Sequence, residues 1–237
     1  MKDGFVKAAA ASPVIKVADA EYNAQQVIKC MAAAREKGVK LLVFPELTLT
    51  GCFCYDLVGH RVLLEGAAAA LEKVVKASEG TDMLVLVGLP YAFGSRLLSC
   101  AAVVYDGALL ALIPRENVAV SRFADYPGES ELVYVGALET ELCPGALFAH
   151  RSLNGLAVAV ELGADVTAAD SPTAYYAQSG ATVIAQMASF PATVSSTDDA
   201  LLAARYESKR FACGLVLAAP GKGESTTDNV CSGLCLV

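Results

Sequence analysis

Short, continuous apolar runs alternate with longer segments of helical periodicity along most of this 237-residue chain. Residues 5–11, 40–44 and 83–89 are predicted to be buried strands, and residues 22–37 and 62–78 are predicted to be helices between them. Strands that are apolar on both faces need a covering layer on each side. The order of the elements therefore predicts an α/β fold with a mostly buried sheet, in one domain.

The second half of the chain continues this alternation after an irregular middle. A hairpin is predicted across Asp106-Gly107, a dipeptide typical of tight turns. Further strands are predicted at residues 148–150, 156–162, 182–187 and 215–219, with helices at 171–179 and 197–211. Residues 116–145 have scattered charges, several Pro and Gly residues and little periodicity, so we expect an irregular segment there. Long irregular segments inside compact domains are usually functional or mobile.

Composition excludes several classes of partner. The chain has 25 acidic and 18 basic residues, a net charge of −7, and no clustered basic surface, which argues against nucleic acid. Hydrophobic residues make up 55%, which excludes disorder and leaves apolar surface for contact between subunits. No apolar run approaches the roughly 20 residues that span a bilayer, so no membrane contact is expected. Residues 1–6 do not resemble a signal peptide, and the expected compartment is the cytoplasm.

Eight cysteines accompany only two histidines, and we expect the thiols to be reduced. Three of them lie in apolar runs and are predicted to be core residues, namely Cys30, Cys100 and Cys213. The pairs Cys52/Cys54 and Cys231/Cys235 do not have the spacing of zinc ligands. No metal and no cofactor is therefore predicted.

The first segment that could perform chemistry is Val-Phe-Pro-Glu-Leu-Thr-Leu-Thr-Gly at residues 43–51. An apolar strand ends at Pro45 and is followed by Glu46, at the edge of a sheet where ligand groups commonly lie. Burial beside Phe44 and Leu47 would raise the pKa of this carboxyl group and suit it to act as a general base. The alternative is an acidic residue that merely ends a strand.

Two further segments have features of functional sites. At residues 159–165, a strand ends at Gly163 and a loop leads to a helix, which is the kind of elbow where a nucleophile would lie. Neither Ser nor Cys occupies this turn. Residues 221–228, Gly-Lys-Gly-Glu-Ser-Thr-Thr-Asp, resemble a phosphate loop, but the order matches neither a P-loop nor a dinucleotide fingerprint. A polar glycine-containing loop is the alternative there.

Together these segments resemble the nitrilase superfamily of carbon–nitrogen hydrolases, and most closely the glutaminase domain of glutamine-dependent NAD⁺ synthetases. The stretches at residues 44–51 and 221–228 are similar to characteristic segments of that branch. Residues 159–165, followed by Pro172 and residues 180–184, match the nucleophile region without gaps. The resemblance covers nearly the whole chain and implies a four-layer α-β-β-α sandwich.

The resemblance implies a catalytic Glu that deprotonates a thiol, a Cys that attacks the amide carbon and a Lys that supports the tetrahedral intermediate. By position, Glu46 matches the general base, Arg115 stands at the Lys position and Gly163 stands at the Cys position, with Ala164 after it. A hydrogen side chain offers no nucleophile, so the acyl-enzyme route is closed. Arg115 keeps the positive charge but does not release a proton.

Residues that follow the elbow are predicted to bind substrate, namely Asp165, Ser171 and Thr173. The expected ligand is a small amide such as glutamine. Three functions remain open: an impaired glutaminase-type domain, an active amidase that supplies ammonia through a displaced thiol such as Cys54 or Cys143, and a structural or regulatory subunit. Expected partners are further copies of the chain and an NAD⁺ synthetase domain or subunit. Residues 1–237 are expected to form a single domain without the family's last strands and its synthetase domain.

Overall fold

The computed structural model describes residues 5–116, 122–163, 165 and 171–237. The α-helices in these residues are α1 (Ala20–Glu36), α2 (Arg61–Ala77), α3 (Thr173–Gln178) and α4 (Ser196–Phe211), and a 3-10 helix covers Tyr55–Gly59. The strands are β1 (Ala8–Ala10), β2 (Leu41–Val43), β3 (Leu84–Phe93), β4 (Arg96–Tyr105), β5 (Ala108–Pro114), β6 (Glu131–Val135), β7 (Leu138–Leu142), β8 (Phe148–Ala149), β9 (Ala157–Leu162), β10 (Val183–Met187), β11 (Gly214–Ala218) and β12 (Cys235–Leu236).

The strands form two sheets that lie face to face. The first sheet has seven strands in the order β1-β2-β3-β4-β5-β7-β6, and the second has five in the order β12-β11-β10-β9-β8. Strands β1, β2 and β3 are parallel, as are β9, β10 and β11. Parallel neighbours need long crossover connections, which α1, α2, α3 and α4 provide. The carboxyl ends of the parallel strands in each sheet therefore share one edge.

Apolar side chains fill three successive layers. Helices α1 and α2 pack on the outer face of the first sheet, where Val27 and Leu71 are fully buried. Between the sheets, Val43 and Leu86 meet residues of the second sheet such as Met187. The outer face of the second sheet is covered by α3 and α4. This arrangement confirms the predicted α-β-β-α sandwich and, outside residues 116–145 and the short β12, the predicted order of strands and helices.

The predicted hairpin between β4 and β5 is confirmed. Its turn residues Asp106 and Gly107 have φ values of 46° and 76°, the left-handed conformation that tight hairpin turns require. Gly107 accepts this conformation without strain because it has no Cβ. The register of the two strands places Tyr105 opposite Ala108, directly beside the turn.

The middle segment is a correction to the sequence-based expectation. Residues 116–145 were expected to be irregular, but β6 and β7 form an antiparallel hairpin there. Only alternate positions of these five-residue strands are buried, such as Val133 and Val135 in β6. Such short, half-exposed strands at the edge of a sheet lack the continuous apolar run that identifies buried strands. Residues 117–121 of the same segment lie outside the described residues.

All eight cysteines are free thiols. Cys100 and Cys213 are buried, as predicted for core residues, while Cys30 is half-buried. Within the described ranges, no cluster of three or more His, Cys, Asp or Glu side chains could hold a metal ion. In the same part of the chain, no helix combines the length and the apolar character needed to cross a membrane.

Candidate active site

Three strand ends bring the sequence-predicted catalytic positions together. Glu46 follows β2, Arg115 follows β5, and Gly163 follows β9 of the opposite sheet. Strand β5 is antiparallel to β4, which is antiparallel to β3, so β5 runs in the same direction as β2. A hydrogen bond of 3.1 Å from the Glu46 N–H to the Ala188 carbonyl links the two sheets at this edge.

The three positions are in direct contact. Nη1 of Arg115 lies 3.6 Å from Oε1 of Glu46. A Cβ atom added to Gly163 would lie 2.7 Å from Cζ of Arg115 and 2.7 Å from Oε2 of Glu46. The side chains of Glu46 and Arg115 are 1% and 11% exposed, so this ion pair is shielded from water. The fold therefore brings together the three positions that the resemblance singled out.

The Glu46 carboxyl group lies in a buried, polar environment. Ser99 donates a hydrogen bond to its Oε1 at 2.6 Å, and the Ser189 hydroxyl also bonds to this carboxyl group. Burial raises the pKa of Glu46, while the Arg115 charge and the two serines oppose the rise. The carboxyl group therefore holds a proton more readily than an exposed glutamate, as expected for a general base at a strand end.

Gly163 has a left-handed backbone, with φ of +60°, at the end of β9. This sharp turn directly after a strand is the predicted elbow. The guanidinium of Arg115 lies against the backbone there, in the space that a side chain at position 163 would enter. A Cβ contact of 2.7 Å is too short, so a thiol at position 163 and the present arginine conformation exclude each other.

Gly88 on β3 is a residue that the sequence analysis missed. A Cβ atom at this position would lie 2.3 Å from the Leu47 nitrogen and 2.9 Å from the Glu46 carbonyl carbon. The absence of a side chain allows the loop that contains Glu46 to lie directly on the strand. Leu47 itself has φ of 54°. A glycine inside an otherwise apolar strand often indicates that another backbone segment lies close to it, so the sequence did contain a signal for this contact.

A cavity of about 360 Å³ opens beside Glu46 and Arg115. Its other lining residues include Cys54, Tyr55, Arg122 and Phe123. No carboxylate of a described residue lies within ion-pair distance of Arg122, whereas Arg115 is paired with Glu46. The cavity has the size of a small-molecule site and combines aromatic walls with two guanidinium groups.

The segment at residues 221–228 supports one wall of this cavity. The Cys52 N–H donates to Oε2 of the buried Glu224 at 2.7 Å, and the Cys52 thiol donates to the Glu46 carbonyl at 2.7 Å. A Cβ atom on Gly223 would lie 1.9 Å from the Ile15 carbonyl oxygen, so only glycine permits this packing. The contacts agree with the polar-loop interpretation rather than with a phosphate loop.

Of the predicted substrate-binding residues, Asp165 and Thr173 are buried and Ser171 is half-buried, and none of them lines the described cavity. Oδ2 of Asp165 accepts a hydrogen bond of 3.2 Å from a β9 amide. Ser171 donates to Glu207 at 3.4 Å, and Thr173 donates to Glu161. These contacts join β9 to α3 and α4 behind the elbow. Their role in substrate binding stays a prediction.

Two buried glutamates share one amide in this network. Nε2 of Gln186 donates to Oε2 of Glu161 and to Oε2 of Glu207, each at 3.0 Å. Burial raises the pKa of Glu161 to about 7, and the charge of Glu207 adds to the rise. Two negative carboxylates that share the Gln186 amide repel each other. The pair of glutamates therefore favours a state in which one of the two carboxyl groups is protonated.

The cysteines proposed as displaced nucleophiles occupy unfavourable environments. The Cys54 thiol borders the cavity but donates to the Thr50 carbonyl at 2.9 Å, and burial raises its pKa. Cys143 lies at the end of β7, and burial also raises the pKa of its thiol. A raised pKa lowers the thiolate fraction, and the thiolate is the nucleophilic form.

Fold and geometry together define a class of protein. A buried glutamate and a cation meet an elbow at the carboxyl edge of an α-β-β-α sandwich, beside a small cavity. This is the arrangement that the sequence resemblance implies for nitrilase-type proteins, with glycine at the elbow.

The sequence matches the Carbon-nitrogen hydrolase family over residues 7–211, and the chain belongs to this family. It is 32% identical over 99% of its length to a glutamine-dependent NAD(+) synthetase of Mycobacterium leprae, of which it covers 35%. A glutamine-dependent NAD(+) synthetase of Mycobacterium tuberculosis is also 32% identical, with 36% of its length covered. The chain thus spans about a third of the length of these relatives.

Solved structures show the same fold. A glutamine-dependent NAD(+) synthetase from Cytophaga hutchinsonii superposes with a TM-score of 0.84 at 18% identity, over 98% of this chain and 38% of that one. An amidase from Nesterenkonia sp. superposes with a TM-score of 0.74 at 16% identity, over 100% of this chain and 83% of that one. The fold is therefore nitrilase-like.

Proposed function

We propose that this chain is a domain of the glutaminase type found in glutamine-dependent NAD⁺ synthetases that binds a small amide without cleaving it through a thioester. The observation that supports this most directly is Gly163, which stands in contact with Glu46 and Arg115 where the resemblance places a cysteine. The general base is retained, the cation is changed and the nucleophile is absent.

The chemistry explains why the nucleophile matters most. Covalent amide hydrolysis needs an atom that attacks the carbonyl carbon and forms the acyl-enzyme. Glu46 has no thiol at position 163 to deprotonate. A nucleophile and its general base act together in catalysis. Loss of the nucleophile therefore lowers turnover by a factor on the order of 10⁴ or more. Arg115 retains charge that stabilises an oxyanion, but charge alone does not replace the bond-forming step.

The retained cavity suits an amino-acid amide. Its volume of about 360 Å³ accommodates a molecule the size of glutamine. Arg122 lines the cavity without an acidic partner among the described residues, so its guanidinium is available to pair with a ligand carboxylate. Tyr55 and Phe123 supply apolar walls for the side-chain methylenes.

The proposal is tested by measuring ammonia release and binding separately on the purified chain. We expect no ammonia from glutamine above the level of a Glu46→Ala variant. We also expect glutamine to bind in calorimetry, and Arg122→Gln to weaken that binding, with exposed Arg205→Gln as the matched control. Ammonia release that disappears in Glu46→Ala would overturn the proposed loss of activity.

An active amidase with a displaced thiol is the second candidate, and Cys54 favours it because it lines the cavity. A glutamine-like electrophile that labels thiols distinguishes the two. We expect no labelling of Cys54 or Cys143 that free glutamine prevents, because both thiols are buried with raised pKa values. Glutamine-protected labelling of either residue would support the active enzyme instead.

We further propose that the chain acts as part of an assembly in the cytoplasm. Leu202 and Tyr206, one turn apart on α4, are 69% and 60% exposed, and Tyr175 on α3 is 65% exposed. Apolar side chains grouped in this way are typical of subunit contacts. Eight free thiols fit a reducing compartment. The relatives with longer chains are named glutamine-dependent NAD(+) synthetases. Association with an NAD⁺ synthetase domain or subunit would supply the synthetase activity.

A further inference from the structure

A second and larger cavity lies at the opposite edge of the sandwich from Glu46. Its volume is about 780 Å³. Lys40 precedes β2, Leu84 begins β3, and Leu156 precedes β9, so the cavity opens at the amino ends of these strands. The candidate active site lies at their carboxyl ends. The two cavities are therefore separated by the length of the core strands.

The floor of this distal cavity is apolar. Leu41 and Leu84 of the first sheet and Leu156 and Val158 of the second line it. These residues belong to the hydrophobic cluster between the sheets or pack against it, so the cavity is an opening into that cluster. A ligand that enters between the sheets must therefore present an apolar body.

The mouth of the distal cavity offers nitrogen donors. Lys40 and Tyr105 both bind the Asp82 carboxylate, at 2.6 Å and 3.0 Å, so the acidic group of the mouth is satisfied. Arg151 also lines the cavity and has no carboxylate partner within 4 Å among the described residues. The mouth therefore retains an unpaired positive charge, although the whole chain has a net charge of −7.

His150 adds a second donor at the same mouth. Its Nδ1 accepts a hydrogen bond of 3.2 Å from the Ser152 N–H. The proton of the neutral imidazole is then on Nε2, which donates in both protonation states of the ring. Arg151 and His150 both line this cavity, so a single anionic group at its mouth can reach both.

We propose that the distal cavity binds an amphipathic carboxylate, with its hydrocarbon chain between the two sheets and its carboxylate at Arg151 and His150. The site is independent of the proposed function, because it lies at the amino ends of the strands whose carboxyl ends bear Glu46 and Gly163. The charge at the mouth selects an anion over a cation of equal length, and the leucine floor selects a hydrocarbon body over a sugar or a phosphate.

The absence of tryptophan from the chain provides a selective reporter. Leu110 borders the distal cavity and is 44% exposed, so Leu110→Trp places a single fluorophore at its wall. Leu202→Trp, at a position 69% exposed on α4, is the matched control. We expect octanoate to shift the emission of Leu110→Trp but not of Leu202→Trp. Octylamine, which has the same chain length and the opposite charge, should not shift either.

Calorimetry measures octanoate binding to the chain without the Leu110→Trp substitution. A comparison with the binding of Leu110→Trp shows whether that substitution alters the site. We expect Arg151→Gln to weaken octanoate binding about tenfold, the usual loss for one charge-assisted hydrogen bond, and exposed Arg205→Gln to leave it unchanged. The proposal is overturned if octanoate does not bind, if octylamine binds equally well, or if the two arginine variants behave alike. Glutamine binding at the other cavity is measured in parallel, so each proposal can fail alone.

Discussion

At the level of single residues, the Arg115 side chain fills the space that the absence of a side chain at Gly163 leaves open. The left-handed φ of +60° favours glycine, and the guanidinium lies where a side chain at this position would extend. A side chain at position 163 would therefore displace the Arg115 guanidinium. In the proposed function, glycine at this position leaves no attacking atom, and the arginine occupies the space that such an atom would need.

This complementarity predicts how activity can be introduced. Gly163→Cys alone should restore little turnover, because the new Cβ would lie 2.7 Å from the Arg115 guanidinium and displace it. The double variant Gly163→Cys with Arg115→Lys should release ammonia from glutamine about 100-fold faster than the single variant, since a misplacement of about 1 Å costs on that order. Glu46→Ala in the double variant is the control and should abolish the gain. Robust turnover by Gly163→Cys alone would contradict this account.

Glu161 predicts a specific pH dependence of stability. Burial raises its pKa from the usual 4.5 to about 7 in the folded chain. Between these values the folded state binds a proton that the unfolded state has released, so its contribution to stability falls as pH rises through this range. The free energy of unfolding should therefore decrease with pH by up to about 3 kcal/mol less in Glu161→Gln than in the unmodified chain. The exposed Glu65→Gln should leave this decrease unchanged.

Urea unfolding at pH 5 and pH 8 measures this difference directly. The wild-type free energy of unfolding should fall more between the two pH values than that of Glu161→Gln. The neighbouring Glu207 shares Gln186 with Glu161, and burial raises the pKa values of Glu207, Glu46 and Glu224 as well, so the remaining slope reports on these carboxyl groups together. Equal slopes for wild type and Glu161→Gln would show that Glu161 does not hold the proton.

At the level of elements, the contact between β3 and the loop after β2 positions Glu46. Gly88 allows this contact because its backbone lies against residues 46 and 47. The loop is also held from the other side, where Glu224 accepts the Cys52 N–H. Two segments that are distant in the sequence therefore determine where the Glu46 carboxyl group lies.

Replacement of Gly88 by alanine should disturb this contact. A Cβ atom 2.3 Å from the Leu47 nitrogen forces backbone to move, which should cost about 1–3 kcal/mol of stability. Gly66→Ala on α2 is the matched control, because its Cβ would lie 3.9 Å from the nearest atom, Ala20 Cβ. That change should instead stabilise the chain by up to about 1 kcal/mol through helix propensity. Denaturant unfolding of both variants tests the prediction, and equal effects would contradict it.

The elements also show where sequence patterns are informative. The sequence predicted strands such as β3 and β9 because each contains a continuous apolar run. It predicted helices such as α2 because their apolar residues recur at helical spacing. The β6–β7 hairpin was not, since only one face of each strand is buried and the other has charged residues such as Glu139 and Glu141. Edge strands gain their structure from the neighbouring strand, β5, rather than from their own composition.

At the level of the whole molecule, we propose that the exposed face of α3 and α4 mediates assembly of the chain. Leu202→Glu combined with Tyr206→Glu places two charges on this face. We expect the unmodified chain to be oligomeric at micromolar concentration and the double variant to be monomeric, because buried unpaired charge strongly disfavours an interface. Solution mass measurements provide the test, with Val62→Glu on exposed α2 as the control. A monodisperse monomer for the unmodified chain would rule out the proposed homo-oligomer.

Outside residues 116–145 and the short β12, the order of strands and helices could be predicted from the sequence alone, because periodicity and turn residues act between neighbours along the chain. The resemblance to the nitrilase superfamily, rather than any local pattern, singled out residues 115 and 163 beside Glu46. Only the tertiary structure decided that the Arg115 guanidinium occupies the place of a side chain at Gly163, and that a second cavity opens at the other edge. Such distances join residues of different sheets, so they depend on how the two sheets pack and not on any local pattern.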